Sequence, residues 1–82
     1  EYNRIVASFA AGYLHLGISQ GRNLLLANVF RAADFTTAEY FLFLAIRNLQ
    51  LNPEVTSVYF RTPLSGEEEM SLYRYFKSVE RL

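Results

Sequence analysis

The sequence predicts a mixed α/β fold with the element order β-β-β-α-β-α. Two observations predict it: two glycine-containing turns divide the first third of the chain into three strands, and two helix-capping patterns each precede an apolar segment. A three-stranded antiparallel meander followed by a right-handed crossover places the fourth strand parallel to the first. We therefore expect the strand order 3-2-1-4, with both helices on one face of the sheet.

The first three strands are defined by their turns. Arg4–Ala10 and Tyr13–Gln20 are separated by Ala11-Gly12, and Asn23–Ala32 follows Gly21-Arg22. Glycine at the first central position favours a type II′ hairpin turn, because that position needs a positive φ. The segments therefore form two consecutive hairpins.

The turns also set the expected register. A two-residue loop at Gly21-Arg22 pairs Gln20 with Asn23, and the following pairs are then Ile18 with Leu25, Leu16 with Ala27, and Leu14 with Val29. This register makes one face aliphatic, and the first turn adds Ile5, Ala7 and Phe9 to it. The opposite face carries Val6, Ser8, Tyr13, His15, Gly17, Ser19, Leu24, Leu26, Asn28 and Phe30. That mixed face is less polar than a fully solvated face should be.

The first helix is predicted from Thr37 to about Leu49. Thr36 and Glu39 have the spacing of a capping box, and Asn52–Glu54 ends the segment. The run Tyr40–Ile46 is apolar without interruption, so the helix should lie centrally on the sheet. The side chains expected to be largely buried are Phe41, Leu42, Leu44 and Ala45.

A strand and a second helix complete the prediction. Val55–Arg61 is rich in residues that favour a strand, and Pro63 ends it. Ser65 and Glu68 form a second capping box. A single apolar stripe at helical spacing then indicates a helix that continues to the end of the chain, formed by Leu72, Tyr75, Phe76, Val79 and Leu82.

The composition excludes several classes of function. Eight Lys and Arg residues balance eight Asp and Glu residues, so no net charge attracts nucleic acid or an anionic membrane. The chain has no cysteine, which excludes disulfides and cysteine-based zinc sites and suits a reducing compartment. We expect a single cytoplasmic domain over residues 1–82. Because the chain starts with Glu1 rather than Met, we expect this domain to be part of a longer protein.

Three stretches carry a resemblance to a known family: "LLLANVF", "ADFTTAEYFLFLAIRNLQLNPE" and "LYRYFKSVE". From about residue 22 onward the chain resembles an uncharacterised bacterial family found in Bacteroidetes and associated with an actin-like ATPase architecture. The meander followed by alternating helix and strand also looks like the first part of the ribonuclease H-like fold, the half-domain of actin-like ATPases. The resemblance implies a fold but brings no known activity.

The chain departs from active members of this wider fold at the residues that carry their chemistry. Actin-like ATPases resemble one another in an Asp-containing, Gly-rich turn between the first two strands, but here Phe9–Tyr13 contains no acid. Ribonuclease H-type enzymes hold a metal with a carboxylate on the first strand, and Arg4–Phe9 offers none. We therefore expect no enzymatic activity, no cofactor and no metal site.

Other conspicuous residues are better explained by structure than by chemistry. His15 is the only histidine and has no predicted acidic neighbour, so we expect an interface residue rather than a general base. The acidic run Gly66–Met70 suits a helix N-terminus. Gly17 and Gly21 do not match a phosphate-binding fingerprint. The many aromatic residues indicate core packing and a protein interface rather than base stacking.

The function predicted from the sequence is that of a non-catalytic structural or protein-interaction domain. The alternative is a degenerate nucleotide-binding half of an actin-like ATPase that needs residues from outside this chain. The expected partner is a second copy of the chain or the remainder of the same protein, with no nucleic acid and no membrane. The predicted interaction residues are Val6, Tyr13, His15, Leu24, Leu26, Phe30 and Tyr59.

Overall fold

The computed structural model describes residues 3–81, which form a five-stranded mixed sheet and two α-helices. In chain order the elements are β1 (Asn3–Ala10), β2 (Tyr13–Gln20), β3 (Asn23–Arg31), α1 (Phe35–Asn48), a 3-10 turn (Pro53–Val55), β4 (Thr56–Phe60), α2 (Gly66–Tyr73) and β5 (Ser78–Arg81). The strand order is 3-2-1-4-5. The mixed α/β class and the order of the first four strands are confirmed, and a fifth strand extends the sheet.

The two hairpin turns build the antiparallel part of the sheet. Gly21 has a φ of 59° and Gln20 pairs with Asn23, as the type II′ prediction requires. In the first turn Ala11 and Gly12 both have positive φ, 54° and 82°. The predicted β1–β2 register is confirmed in the pairs Ile5–Ile18, Ala7–Leu16 and Phe9–Leu14.

A β-bulge in β3 makes the predicted β2–β3 register wrong beyond the turn. Ser19 pairs with Leu24, whereas the next residue of β2, Ile18, pairs with Leu26. Leu25 is the extra residue of the bulge. Because side chains alternate between the faces of a strand, one inserted residue moves every following side chain to the opposite face.

The bulge moves the larger side chains of β3 under the helices. Leu26 and Phe30 pack against the core, and the Phe30 ring stacks on Phe41 with 5.1 Å between centroids. The predicted register would have placed Ala27 and Val29 there instead. Burial of a leucine and a phenylalanine removes more apolar surface from water, which is the physical reason that the bulged register is favoured.

Helix α1 begins two residues earlier than predicted. Its N-cap is Asp34, whose Oδ1 accepts the N–H of Thr37 at 2.8 Å, so the capping box assigned to Thr36 and Glu39 is wrong. This backbone hydrogen bond lowers the pKa of Asp34 below its usual value. Glu39 instead accepts a hydrogen bond from the Ser71 hydroxyl at 2.8 Å, which joins α1 to α2.

The apolar run of α1 is buried on only part of its surface. Leu42 and Ala45 are buried, as predicted. Phe41 and Leu44 are only half-buried, because they face a groove beside β3, the last strand on that side of the sheet. The prediction that all four side chains are largely buried is therefore wrong for these two.

The predicted second helix ends early and is followed by a strand. Ser65 and Glu68 form the expected capping box, but α2 ends at Tyr73. The N–H of Lys77 then donates to the carbonyls of Pro53 and Thr56, both at 3.1 Å, which leads the chain to the free edge of β4.

β5 therefore replaces the last part of the predicted helical stripe. Val79 pairs with Val58 of β4 in a parallel ladder, and both side chains are buried. The stripe prediction was wrong because apolar residues three apart also suit a turn followed by a strand, and the available edge of β4 decides between them. Leu82 lies outside the described residues.

The core lies between the sheet and the two helices. Its buried apolar members are Ile5, Ala7, Leu14, Leu16, Ile18, Ala32, Ala38, Leu42, Ala45, Ile46, Val58, Phe60, Leu72, Phe76 and Val79. Since β1, β2, β4, β5 and both helices contribute to this one cluster, the helices share one face of the sheet, as predicted.

Leu42→Ala should lower the free energy of unfolding by about 2–5 kcal/mol, because the side chain is 1% exposed and its loss leaves a cavity. Leu44→Ala should cost clearly less, since Leu44 is half-buried. Urea denaturation of both variants measures the difference. Equal losses, or a larger loss at Leu44, would contradict the placement of α1.

Asp34→Asn should keep the N-cap but remove its charge, since asparagine caps a helix equally well. The folded-state pKa of Asp34 is depressed, so the ionised carboxylate adds stability above its unfolded pKa of about 3.8, and this contribution is lost as the pH falls through the folded-state value. Thermal unfolding from pH 7 to pH 2 should show native protein more stable than the variant near neutrality, with the difference fading in acid. A difference that is constant with pH would contradict the assigned cap.

Candidate functional site

One face of the sheet carries no helix among residues 3–81, and we call it the open face. Pairing across the strands identifies its members, because directly opposed residues share a face. They are Arg4, Val6, Ser8, Ala10, Tyr13, His15, Gly17, Ser19, Leu24, Ala27, Val29, Arg31, Ser57, Tyr59, Ser78 and Glu80.

Five of the seven predicted interaction residues lie on the open face. Val6 pairs with Tyr59 across β1 and β4, and Leu24 pairs with Ser19 before the bulge. Tyr13 and His15 complete the five. The structure thus brings together side chains from four strands.

Leu26 and Phe30 are not part of this face, and their assignment to it is corrected. They lie on the helix-covered side, because the bulge at Leu25 moves each following side chain of β3 to the opposite face of the sheet. Ala27 and Val29, which the predicted register placed on the other face, take their places on the open face. The signal was present in Leu24–Leu26, because three consecutive leucines interrupt the alternation of a regular strand.

The centre of the open face is a shallow depression of about 520 Å³. Its floor is made of small side chains, Val6, Ser8 and Ala27, together with Gly17. A Cβ added at Gly17 would meet only the Val6 carbonyl oxygen, at 3.9 Å, so sterics alone do not require glycine there. Gly17 opposes Ala27, not Leu26 as the predicted register implied. The small residues keep the floor low.

The side chains around the depression are larger and more polar than those of its floor. The Arg4 guanidinium lies over the Tyr59 ring at 5.3 Å from its centroid, a cation–π contact. Glu80 opposes Tyr59 from β5, and Arg61 lines the depression on the same side. The open face therefore carries charges of both signs around an apolar centre.

His15 lies on the margin of this depression. It is exposed, and its cross-strand neighbours are Ser8 and Val29. Neither neighbour is an acid that could orient the imidazole or raise its basicity, which a catalytic histidine needs. The position suits a contact residue.

A second depression, of about 320 Å³, lies where β4 and β5 end. Arg61, Thr62 and Arg81 line it, and Thr62 Oγ1 accepts the N–H of Phe9 at 3.0 Å, which ties this loop to β1. The carboxyl ends of parallel strands are where open α/β sheets bind their ligands. The side chains here are cationic or neutral, which suits an anion better than a metal ion.

Residues 3–81 contain neither a metal-binding cluster nor a membrane-spanning helix. In that range no three histidine, aspartate or glutamate side chains are grouped so that they could hold a metal ion. Over the same range neither helix has the length and apolarity needed to cross a membrane.

The chain belongs to the family described as "Protein of unknown function (DUF3822)", whose sequence profile matches residues 1–79. This finding confirms the resemblance to an uncharacterised family. No curated protein matches the chain.

Two solved structures are similar to the fold. A Bacteroides thetaiotaomicron protein with an actin-like ATPase fold and unknown function superposes with a TM-score of 0.86 at 22% identity, over 99% of this chain and 32% of that one. A glucokinase from an Antarctic psychrotroph superposes with a TM-score of 0.58 at 11% identity, over 100% of this chain and 32% of that one. The chain therefore has the fold of part of an actin-like ATPase and spans about a third of the length of each structure.

Proposed function

We propose that this chain is a non-catalytic protein-interaction domain that docks through its open face onto the remainder of a longer actin-like polypeptide. The single observation that carries this proposal is the open face itself. Helices cover one side of the sheet, whereas the other side exposes an apolar centre built from four strands.

The exposed apolar side chains support a contact with protein. Leu24 is 68% exposed, Val29 50% and Tyr13 45%, and Val6 on β1 and Tyr59 on β4 extend the face onto the parallel strands. Large contiguous apolar patches are rare on monomers and usually mark a contact site. Burial of such side chains against a partner is worth roughly 25 cal/mol for each Å² of apolar surface removed from water.

The parallel part of the sheet favours an intramolecular partner. β1 pairs in parallel with β4, and β4 pairs in parallel with β5. All-parallel sheets are almost always covered on both faces, and the β1-β4-β5 part of this mixed sheet has that all-parallel arrangement. The similar Bacteroides thetaiotaomicron structure has about two thirds of its length beyond the part matched here, which is ample chain to supply a second covering layer.

The shape and charge of the open face suit a packed polypeptide segment. The low floor formed by Ser8, Gly17 and Ala27 allows close approach of a helix or strand. Arg4, Arg31 and Arg61 outnumber Glu80 on this face. The chain as a whole is neutral, with eight Lys and Arg against eight Asp and Glu, and on that ground we propose neither a polyanion nor an anionic membrane as the partner. We propose a cytoplasmic location, on the basis of a chain without cysteine.

A degenerate nucleotide-binding half-site is the second candidate. It is favoured by the depression lined by Arg61 and Arg81 at the carboxyl ends of β4 and β5, together with the fold shared with a glucokinase. The turn Phe9–Tyr13 and strand β1 supply no carboxylate to hold a metal–nucleotide complex. The candidate therefore requires residues from outside this chain.

The open face should be protected from chemical modification in the full-length gene product. His15 is the only histidine of this chain and is exposed, so diethylpyrocarbonate should modify it readily in the 82-residue chain and much more slowly in the longer protein. Peptide mass spectrometry measures the two rates. The double variant Tyr13→Ser/Leu24→Ser should restore the reactivity of His15 in the longer protein, because both side chains lie at the proposed contact. Equal rates in the two native proteins would reject the docking proposal.

Mg-ATP should leave the melting temperature of the 82-residue chain unchanged, because this chain supplies no acidic residue at its first turn or first strand. A thermal-shift titration tests this against the second candidate, since a ligand that binds only folded protein raises its apparent stability. A concentration-dependent increase that is lost in Arg61→Ala would favour the nucleotide-binding half-site instead.

A further inference from the structure

The outer edge of β3 is a second surface, separate from the open face. β3 (Asn23–Arg31) is the outermost strand on one side of the sheet. Within residues 3–81 no other strand pairs with its outer side. Ala32 donates its N–H to the Gly12 carbonyl at 2.9 Å, on the side of β2. Since backbone groups alternate in direction along a strand, those of Ala27 and Val29 point outward. The edge therefore offers outward backbone donors and acceptors that no other described strand pairs.

An apolar groove of about 210 Å³ runs beside this edge, on the helix-covered side of the sheet. Leu26 and Phe30 line it from β3, and Phe41, Leu44 and Leu49 line it from α1 and its C-terminal end. All five side chains are only partly buried. A groove between an edge strand and a helix is the arrangement that accepts an added strand, because the backbone pairs with the edge while alternate side chains enter the groove.

We propose that two copies of this chain associate by antiparallel pairing of their β3 strands about a two-fold axis at Asn28. This register places Ala27 opposite Val29 of the second copy, so the outward backbone groups of both residues form hydrogen bonds. Leu26 then lies opposite Phe30 of the second copy, on the groove side of both chains. The two grooves become continuous across the axis.

Several features of β3 favour a second copy as the partner. No charged residue lies between Arg22 and Arg31, so the antiparallel strands oppose no like charges. About a two-fold axis, the same β3 edge of each copy both donates and accepts backbone hydrogen bonds. This is the self-complementary arrangement that a closed isologous contact requires. Pairing also removes the free β3 edge from both copies, and a long apolar edge is otherwise a liability for uncontrolled association.

Asn28 controls the strength of this contact. In the single chain its Oδ1 accepts the N–H of Val29 at 2.8 Å, so the donor nearest the axis is already occupied. Association has to displace that side chain in each copy. The proposal depends on the β3 edge and not on the open face, so it can fail while the proposed function holds.

Sedimentation velocity over a concentration series tests the pairing. Native chain should dimerise reversibly, and Val29→Pro should raise the dissociation constant about 25-fold, since each of the two copies loses an edge hydrogen bond worth about fivefold. Val29→Thr keeps the N–H and is the matched control. Asn28→Ala should lower the dissociation constant by about 25-fold, because the competing acceptor, worth about fivefold, is gone from both copies. Leu44→Lys, which charges the groove, should abolish the dimer even if the proline variant fails to fold.

Single-cysteine variants test the register, since the native chain contains no cysteine. Asn28→Cys places the two thiols opposite each other in a non-hydrogen-bonded pair, at a separation that allows a disulfide. Mild oxidation should therefore link Asn28→Cys into dimers, whereas the control His15→Cys on the open face should stay monomeric. A native chain that remains monomeric at the highest concentration, an unchanged dimer in Val29→Pro, or crosslinking of His15→Cys in place of Asn28→Cys would each overturn the proposal.

Discussion

The fold depends on the pairing of β1 with two strands of opposite direction. β1 pairs antiparallel with β2 and parallel with β4, which aligns Ile5 with Ile18 on one side and Val58 on the other. All three side chains have no exposed surface. The hairpins and the parallel strands share this central row, so the helices have one continuous apolar surface on which to pack.

The helices cover that surface unequally, and the exposed parts of the molecule follow from this. Leu42 is buried over the sheet, while Phe41 and Leu44 lie beside β3, the strand at the edge of the sheet. On the reverse face, small residues at the centre and aromatic residues around them stay open. The two candidate surfaces, the open face and the β3 edge with its groove, are thus consequences of a two-layer arrangement in a fold that includes parallel strands.

Whether this fold can bind a metal–nucleotide complex depends on the side chains at the carboxyl ends of its parallel strands. In this chain those ends carry arginine and threonine side chains, and the turn after β1 contains alanine and glycine. Such groups can attract an anion, but they cannot hold a divalent cation. The actin-like fold therefore places this chain among proteins of a known architecture, and the proposed contact role is supported by the side chains of the open face.

Local patterns in the sequence were sufficient for the turns, the first register, the second capping box and the order of four strands. The turns, the register and the capping box depend on neighbouring residues: the positive φ of Gly21, the reciprocal bonds of Ser65 and Glu68, and the alternation that aligns Ile5 with Ile18. The strand order follows from the general handedness of a crossover between parallel strands. The cap of α1 is also local, but both Asp34 and Thr36 are good caps and sequence spacing favoured the wrong one.

Tertiary structure decided the remaining features, because each depends on a partner distant in the chain. The bulge at Leu25 is favoured by the space beneath α1, where Phe30 meets Phe41. Strand β5 exists because β4 offers an unpaired edge to Ser78–Arg81, a choice that the apolar spacing leaves open. The membership of the open face follows from the bulge. The sequence by itself determined that one face of the sheet is aliphatic and that the other is less polar than a fully solvated face. Only the packed structure decided which side chains of β3 lie on each face, because the bulge depends on the space beneath α1.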